Sequence, residues 1–177
     1  MTTLDQAAPN MVVSPEYAEY VRWLNEESAL LDRHEYDDWL ARLAPQVRYR
    51  MPARVDTSRR DQSGVSEHSF HMDEDHASLS IRIKRITSAT NFAENPRTRT
   101  RRFVTNMMID PGSTVDHITG SNYLLLLRSR GLGPDLELLS AERRDELVRG
   151  AAGLQLLRRE VIVDQATLGV VHLATPL

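Results

Sequence analysis

Two hydrophobic periods divide the chain, a helical one near its start and a strand-like one over most of the remainder. Ser14-Pro15 supplies a helix start, a side chain able to cap followed by the residue best tolerated in a first turn. Tyr17, Tyr20, Val21, Leu24 and Leu31 then recur at helical spacings and form one apolar stripe, with Glu16, Glu19, Glu26 and Glu27 mostly off it. A second short helix carries Tyr36, Trp39, Leu40 and Leu43 on one face and is expected to stop before Pro45. Val47, Tyr49 and Met51 alternate with Gln46, Arg48 and Arg50, the period of a half-buried strand, which Pro52 is expected to end. Residues 54–67 are polar and read as an exposed loop, and 69–72 as a short strand. Asp73, Glu74 and Asp75 then open a helix bearing Leu79, Ile83 and Ile86, acids at its positive end and Arg82, Lys84 and Arg85 near the other.

Beyond Asn95-Pro96 the pattern is extended. Residues 103–109 and 115–129 form two long strands separated by Pro111-Gly112, and the second contains the uninterrupted apolar run 123–127. Leu136, Leu138 and Leu139 begin a third strand, and a fourth after Gly150 and Gly153 carries Leu156, Leu157, Val161 and Val163. Between them, residues 142–149 (ERRDELVR) suit a helix by propensity and a continuing strand by position. Helices first and a mainly antiparallel sheet afterwards is the α+β pattern. Residues 1–13 read as a loose arm and 14–177 as one domain.

Composition narrows the function. A chain of 177 residues suffices for one core burying roughly 70 % of its unfolded surface. With 41 % apolar and 27 % charged residues it is ordinary for a soluble protein. A net charge of −3 opposes a general nucleic-acid binder. The absence of cysteine excludes disulfides, thiolate metal sites and iron–sulfur ligation in this chain, and accords with a cytoplasmic location. No cationic segment precedes a long apolar stretch, and no window approaches the about 20 apolar residues of a membrane helix, so neither secretion nor membrane insertion is expected.

The sheet region carries the most distinctive charge. On a regular strand Arg97, Arg99 and Arg101 share one face and Thr98, Thr100 and Arg102 the other, while the next strand leaves through Arg128 and Arg130. Arginine's planar fork pairs bidentately with carboxylates, which suits a subunit interface. The bland alternative is a solvent-facing edge where charge discourages aggregation. A nucleic-acid groove would need interleaved aromatics, and there are none. Asp164 and Gln165 follow an apolar run and are read as fold support, with Arg128, Arg130, Arg158 and Arg159 as candidate partners.

Two other chemistries are open to the residues. His68, His71 and His76 cluster with Asp73 and Asp75, and a two-His, one-carboxylate set can hold ferrous iron, but their spacing shares no single face and a solvated loop and helix start explain them as well. Asp116 or His117 could act as a general base, with Tyr49 or Tyr123 as hydrogen-bond donors, if the sheet enclosed a pocket. Adjacent strand residues face opposite ways, so at most one of that pair could enter it.

DEDHASLSIRIKRI, ENPRTRTRRFVTN, SNYLLLLRSRG, ERRDELVR and RREVIVDQATLG occur in this order. This succession resembles the small (β) subunit of aromatic-ring-hydroxylating dioxygenases over nearly the whole chain. The family pattern has Arg-Asn-Arg where this chain has Arg128, Ser129 and Arg130, and Arg-His-Phe where it has Arg101, Arg102 and Phe103. Near the end, Val171, His172 and Leu173 stand where the family often has Asn-Leu-Ser.

The resemblance implies a cone-shaped fold of the NTF2-like, SnoaL-like group, with N-terminal helices packed on a strongly curved sheet. It also implies a structural, non-catalytic subunit, self-associated as a β trimer and assembled with a large α subunit as α3β3. The α subunit of such an enzyme holds a Rieske 2Fe-2S cluster and a mononuclear iron and cis-dihydroxylates an aromatic ring, with electrons arriving from a ferredoxin and its reductase. No catalytic, cofactor or metal residue is therefore expected in this chain. The competing reading is a free-standing isomerase or dehydratase using the cone as a pocket.

Overall fold

The computed structural model describes residues 13–55, 64–88, 97–132, 134–168, 173 and 175–177. The expected N-terminal arm, apart from Val13, lies outside these, as does His172. Helix α1 (Pro15–Asp32) is capped as its sequence demands, Ser14 Oγ accepting from the Tyr17 N–H at 3.2 Å. Of its expected stripe Tyr20, Leu24 and Leu31 are buried and Tyr17 and Val21 half-buried, while Trp23 and Glu27, which lay outside that stripe, are buried too.

Helix α2 (Tyr36–Leu40) is shorter than the sequence implied. Leu43 begins strand β1 (Leu43–Arg54) instead of ending the helix, and Pro52 lies within that strand instead of stopping it. The proline is tolerated because the pairing of β1 with its parallel neighbour ends at Arg50, and register shifts flank Pro52 on the other side.

Strand β2 (Val65–Glu74) takes residues the sequence assigned to a loop and to the start of a helix. Pairing overrides local propensity here, with Met72 opposite Met51 and Asp73 opposite Arg50. The rest of the expected loop, residues 56–63, is outside the described set. Helix α3 (His76–Thr87) starts one residue after Asp75, whose carboxylate accepts from the Ser78 N–H at 2.8 Å while Ser78 Oγ accepts from the Asp75 N–H at 2.9 Å.

Strands β3 (Arg99–Ile109), β4 (His117–Ser129), β5 (Leu136–Gly150) and β6 (Gly153–Val163) complete one six-stranded sheet in the order β2-β1-β6-β5-β4-β3. Every neighbouring pair is antiparallel except β1 and β6. Residues 142–149 are strand, not helix, because Arg143, Asp145 and Leu147 alternate inward against Glu142, Arg144 and Glu146. Val115 and Asp116 belong to the turn before β4.

One face of the sheet receives the helices. Ile118, Leu124, Leu126, Leu139, Ala141, Leu147, Leu156, Val161 and Val163 pack there with Tyr20, Trp23, Leu24, Leu31 and Trp39. The opposite face has no helix on it among the described elements, and this asymmetry defines the site. No helix among the described residues is long and apolar enough to cross a membrane.

Candidate functional site

Strand β4 shows why the outer face matters. Its inward residues Asn122, Leu124 and Leu126 are buried, as alternation requires. Its outward residues ought then to be polar, yet they are Tyr123, Leu125 and Leu127. Cross-strand register extends the apolar surface: Leu125 lies opposite Phe103 on β3, and Leu127 opposite Leu138 on β5. Phe103, Tyr123, Leu125, Leu136 and Leu138 keep between 42 % and 58 % of their surface exposed. A contiguous apolar patch of this kind on a sheet face marks an interaction surface, since scattered exposure would need no explanation.

The arginines frame this patch. Arg99 and Arg101 are exposed and lie across from Ser129 and Leu127, on the same outward face. Arg99 Nη2 donates to Ser129 Oγ at 3.2 Å and to the Gly131 carbonyl at 2.8 Å. No carboxylate among the described residues pairs with Arg99 or Arg101. Arg97 and Arg130 are exposed just outside β3 and β4.

Arg102 and Arg128 point the other way and have internal work. Arg102 is buried, and its guanidinium meets Asp32 Oδ1 at 2.7 Å, tying the end of α1 to β3. Arg128 is buried with Glu137 at 2.8 Å. Asp164 is exposed rather than buried, and its neighbours are Ser140 Oγ at 2.7 Å and Arg54 at 3.5 Å, none of the four arginines anticipated for it. Gln165 Oε1 accepts from the Ser140 N–H at 3.4 Å, so both residues fasten the end of β6 to β5.

Towards β1 the outer face becomes a shallow depression of about 780 Å³ lined by Arg48, Arg144, Arg158, Glu142, Glu146 and Glu160. Its charges largely answer one another, Arg144 meeting Glu142 at 2.9 Å and Arg158 meeting Glu146 at 3.3 Å. Exposed pairs of this type contribute little to stability but give a polar rim to an apolar centre.

The helix-covered interior holds a second cluster that the sequence reading missed. Arg159 grips Asp145 through Nε at 2.6 Å and Nη2 at 3.1 Å, and reaches Glu27 through Nη1 at 2.7 Å. Arg143 Nε donates to Asn122 Oδ1 at 2.7 Å, and its Nη1 lies 3.4 Å from Glu27 Oε2. Asn122 and Tyr20 both donate to Asp145 Oδ2, and Trp39 Nε1 donates to Glu27 Oε1 at 3.1 Å. Two cations and two anions thus cancel in a space sealed from water. Burial acts to raise the Asp145 pKa, but the charge and hydrogen bonds of Arg159 overcome it and hold the carboxylate below its usual range. Tyr20 and Tyr49 are pushed upward, chiefly by burial. An ionised carboxylate with both oxygens engaged this way is a poor proton acceptor. The signal that could have found the cluster was charge at inward positions 143, 145 and 159 of otherwise apolar strands.

The other candidates are not brought together. Asp116 pairs with Arg149 at 3.1 Å and His117 with Glu146 at 2.9 Å, both exposed and neither in the interior. Tyr49 is buried in the interior, whereas Tyr123 is outside. His68 and His71 lie on β2 and His76 opens α3; no group of three or more His, Asp or Glu among the described residues could hold a metal ion.

Comparison with known proteins bears on the family and the fold. The family described as ring hydroxylating beta subunit matches residues 26–169. The β subunit of benzene 1,2-dioxygenase from Pseudomonas putida is 34 % identical over 159 residues, covering 86 % of this chain and 82 % of that protein. A chain of naphthalene 1,2-dioxygenase with indole bound in its active site superposes with a TM-score of 0.80 at 23 % identity, covering 95 % of this chain and 89 % of that one. An NTF2-like protein with a cystatin-like fold from Novosphingobium aromaticivorans reaches a TM-score of 0.58 at 12 % identity, over 86 % of this chain and 84 % of its own. The fold is therefore the NTF2-like α+β cone.

Proposed function

From the premise that this chain belongs to the ring-hydroxylating β-subunit family, as a non-catalytic component of a dioxygenase, we propose that it works by docking, through the outer face of its sheet. The observation that carries the reading is β4, a non-edge strand apolar on both sides with only one side covered among the described residues. An antiparallel strand with one solvated face would alternate apolar and polar residues, and β4 does not over residues 123–127.

The docked assembly contains other copies of this chain and a large subunit, three of each, with the Rieske cluster and mononuclear iron in the large subunit. Those centres supply electron transfer and oxygen activation, and the arene is oxidised there. Electrons reach the complex from a ferredoxin and its reductase. This chain's own contribution is geometric. Leu125, Leu136, Leu138 and Phe103 provide the apolar centre of the contact, and Arg99 and Arg101 supply donors for carboxylates or carbonyls across it. Arg130, exposed just beyond β4, extends that positive margin, whereas Arg97 lines a small cleft with His34, Tyr36, Ile86 and Thr87.

The free-standing isomerase or dehydratase is not favoured, because Asp116 and His117 lie outside the interior and Asp145 within it is fully engaged. Producing the large subunit with and without this chain, then comparing sedimentation and single-turnover product, tests the proposal. Loss of assembled complex and of product without the chain is expected. Full assembly and turnover in its absence would end the docking role.

A further inference from the structure

Residues from the far end of the sequence close the interior. Leu177 is fully buried and joins the main apolar cluster. One side chain reads its backbone twice: Tyr49 Oη donates to the Leu177 oxygen at 2.5 Å and accepts from the Leu177 N–H at 2.8 Å. Arg159 Nη1 donates to the same oxygen at 3.3 Å. Farther back, Arg102 Nη2 donates to Thr175 Oγ1 at 3.1 Å and to the Pro176 carbonyl at 2.6 Å. All three residues are buried, yet none lies in a helix or a strand. They are held by side chains from β1, β3 and β6 acting on backbone polar atoms and one hydroxyl, with one apolar side chain seated in the core. Those are the contacts of a bound peptide, where main-chain hydrogen bonds hold and a pocket selects the side chain.

We infer that the cone contains a peptide-binding site built from Tyr49, Arg102 and Arg159, whose occupant is the chain's own residues 175–177. The ligand class is a short peptide with a proline followed by a branched apolar residue. Tethering keeps such a ligand at millimolar effective concentration, so the site stays filled without high intrinsic affinity. The interior that this architecture could offer to a small molecule is thereby occupied from within. This holds whether or not the outer face docks, so failure of one leaves the other standing.

The first test uses the full chain and hydrogen exchange. The Leu177 amide is expected to exchange roughly 100-fold slower than in a free peptide, and Tyr49→Phe to accelerate it about tenfold while the Leu147 amide in β5 is unchanged. Exchange at the free-peptide rate, or indifference to Tyr49→Phe, overturns the inference. The second uses a variant lacking residues 175–177, titrated with acetyl-Thr-Pro-Leu and with acetyl-Thr-Pro-Gly while the melting temperature is followed. A saturable rise with the leucine peptide and none with the glycine peptide is expected. A folded variant that responds to both alike, or to neither, refutes the site; if the variant does not fold, the exchange comparison decides.

Discussion

Asp145 and Arg159 face each other in the sealed interior as a forked pair, two nitrogens on two oxygens, with both side chains at 0 % exposure. Removing one member leaves the buried cluster of Glu27, Arg143, Asp145 and Arg159 with one uncompensated charge. Arg159→Met is therefore expected to cost about 3–5 kcal/mol in urea unfolding. Replacing both with apolar residues of similar volume, Asp145→Leu with Arg159→Met, should recover part of that loss. A double variant no more stable than the worse single one would contradict the pairing.

Acid should expose the same pair. The folded-state pKa of Asp145 is lowered, so its stabilisation is fully present above the unfolded carboxylate value of about 4 and is lost as pH falls through the lower folded value. In Asp145→Asn the decline of unfolding free energy below about pH 4 should be shallower than in the parent, by up to about 1.4 kcal/mol per pH unit. Urea midpoints at a series of acidic pH values measure it. Parallel declines would remove Asp145 from the acid response.

Neighbouring arginines on β3 should behave oppositely. Arg102 points inward to Asp32, so Arg102→Ala strands a carboxylate that is only 7 % exposed and should destabilise the isolated chain by about 3–5 kcal/mol. Arg101 points outward, and Arg101→Ala should change isolated stability by no more than about 0.5 kcal/mol while weakening assembly. Denaturation of the single chain and sedimentation of the complex separate the two effects.

Gly120 marks a close approach between sheet and helix. A Cβ there would fall on the Met108 carbonyl oxygen and within 3.1 Å of the Tyr20 ring. Gly120→Ala should cost about 1–3 kcal/mol by thermal or urea unfolding, because backbone cannot move aside as a flexible side chain can. A neutral substitution would mean that β3 and β4 separate more easily than their pairing implies.

The helical stripe of α1, its cap and the alternation of the long strands were legible because each is a local rule written in neighbouring residues. What the chain hid was non-local. Pro52 and Asp73 have the wrong local propensities for strand interiors; Asp73 is accepted because β2 pairs with β1, and Pro52 because the pairing of β1 with β6 has already ended and the register towards β2 shifts around it. Glu27 looked solvent-facing until Arg143 and Arg159 arrived from more than a hundred residues away. Residues 142–149 were ambiguous because a buried ionic cluster imitates the charge pattern of an exposed helix. At the outer face the arginine periodicity was readable, and its split between outward Arg99 and Arg101 and inward Arg102 followed from strand geometry. The apolar centre lay in plain view as the run 123–127, whose significance depends on knowing which face the helices leave bare.

Sedimentation of the reconstituted complex, comparing the parent chain with a Leu125→Asp/Leu138→Asp variant, tests the docking role most directly. These side chains contribute exposed surface, so the variant should fold with the parent's melting temperature yet fail to form the large assembly with its partner subunit. An assembly of unchanged mass and affinity, built from a variant carrying two new charges at the centre of the outer face, would show that other chains bind elsewhere.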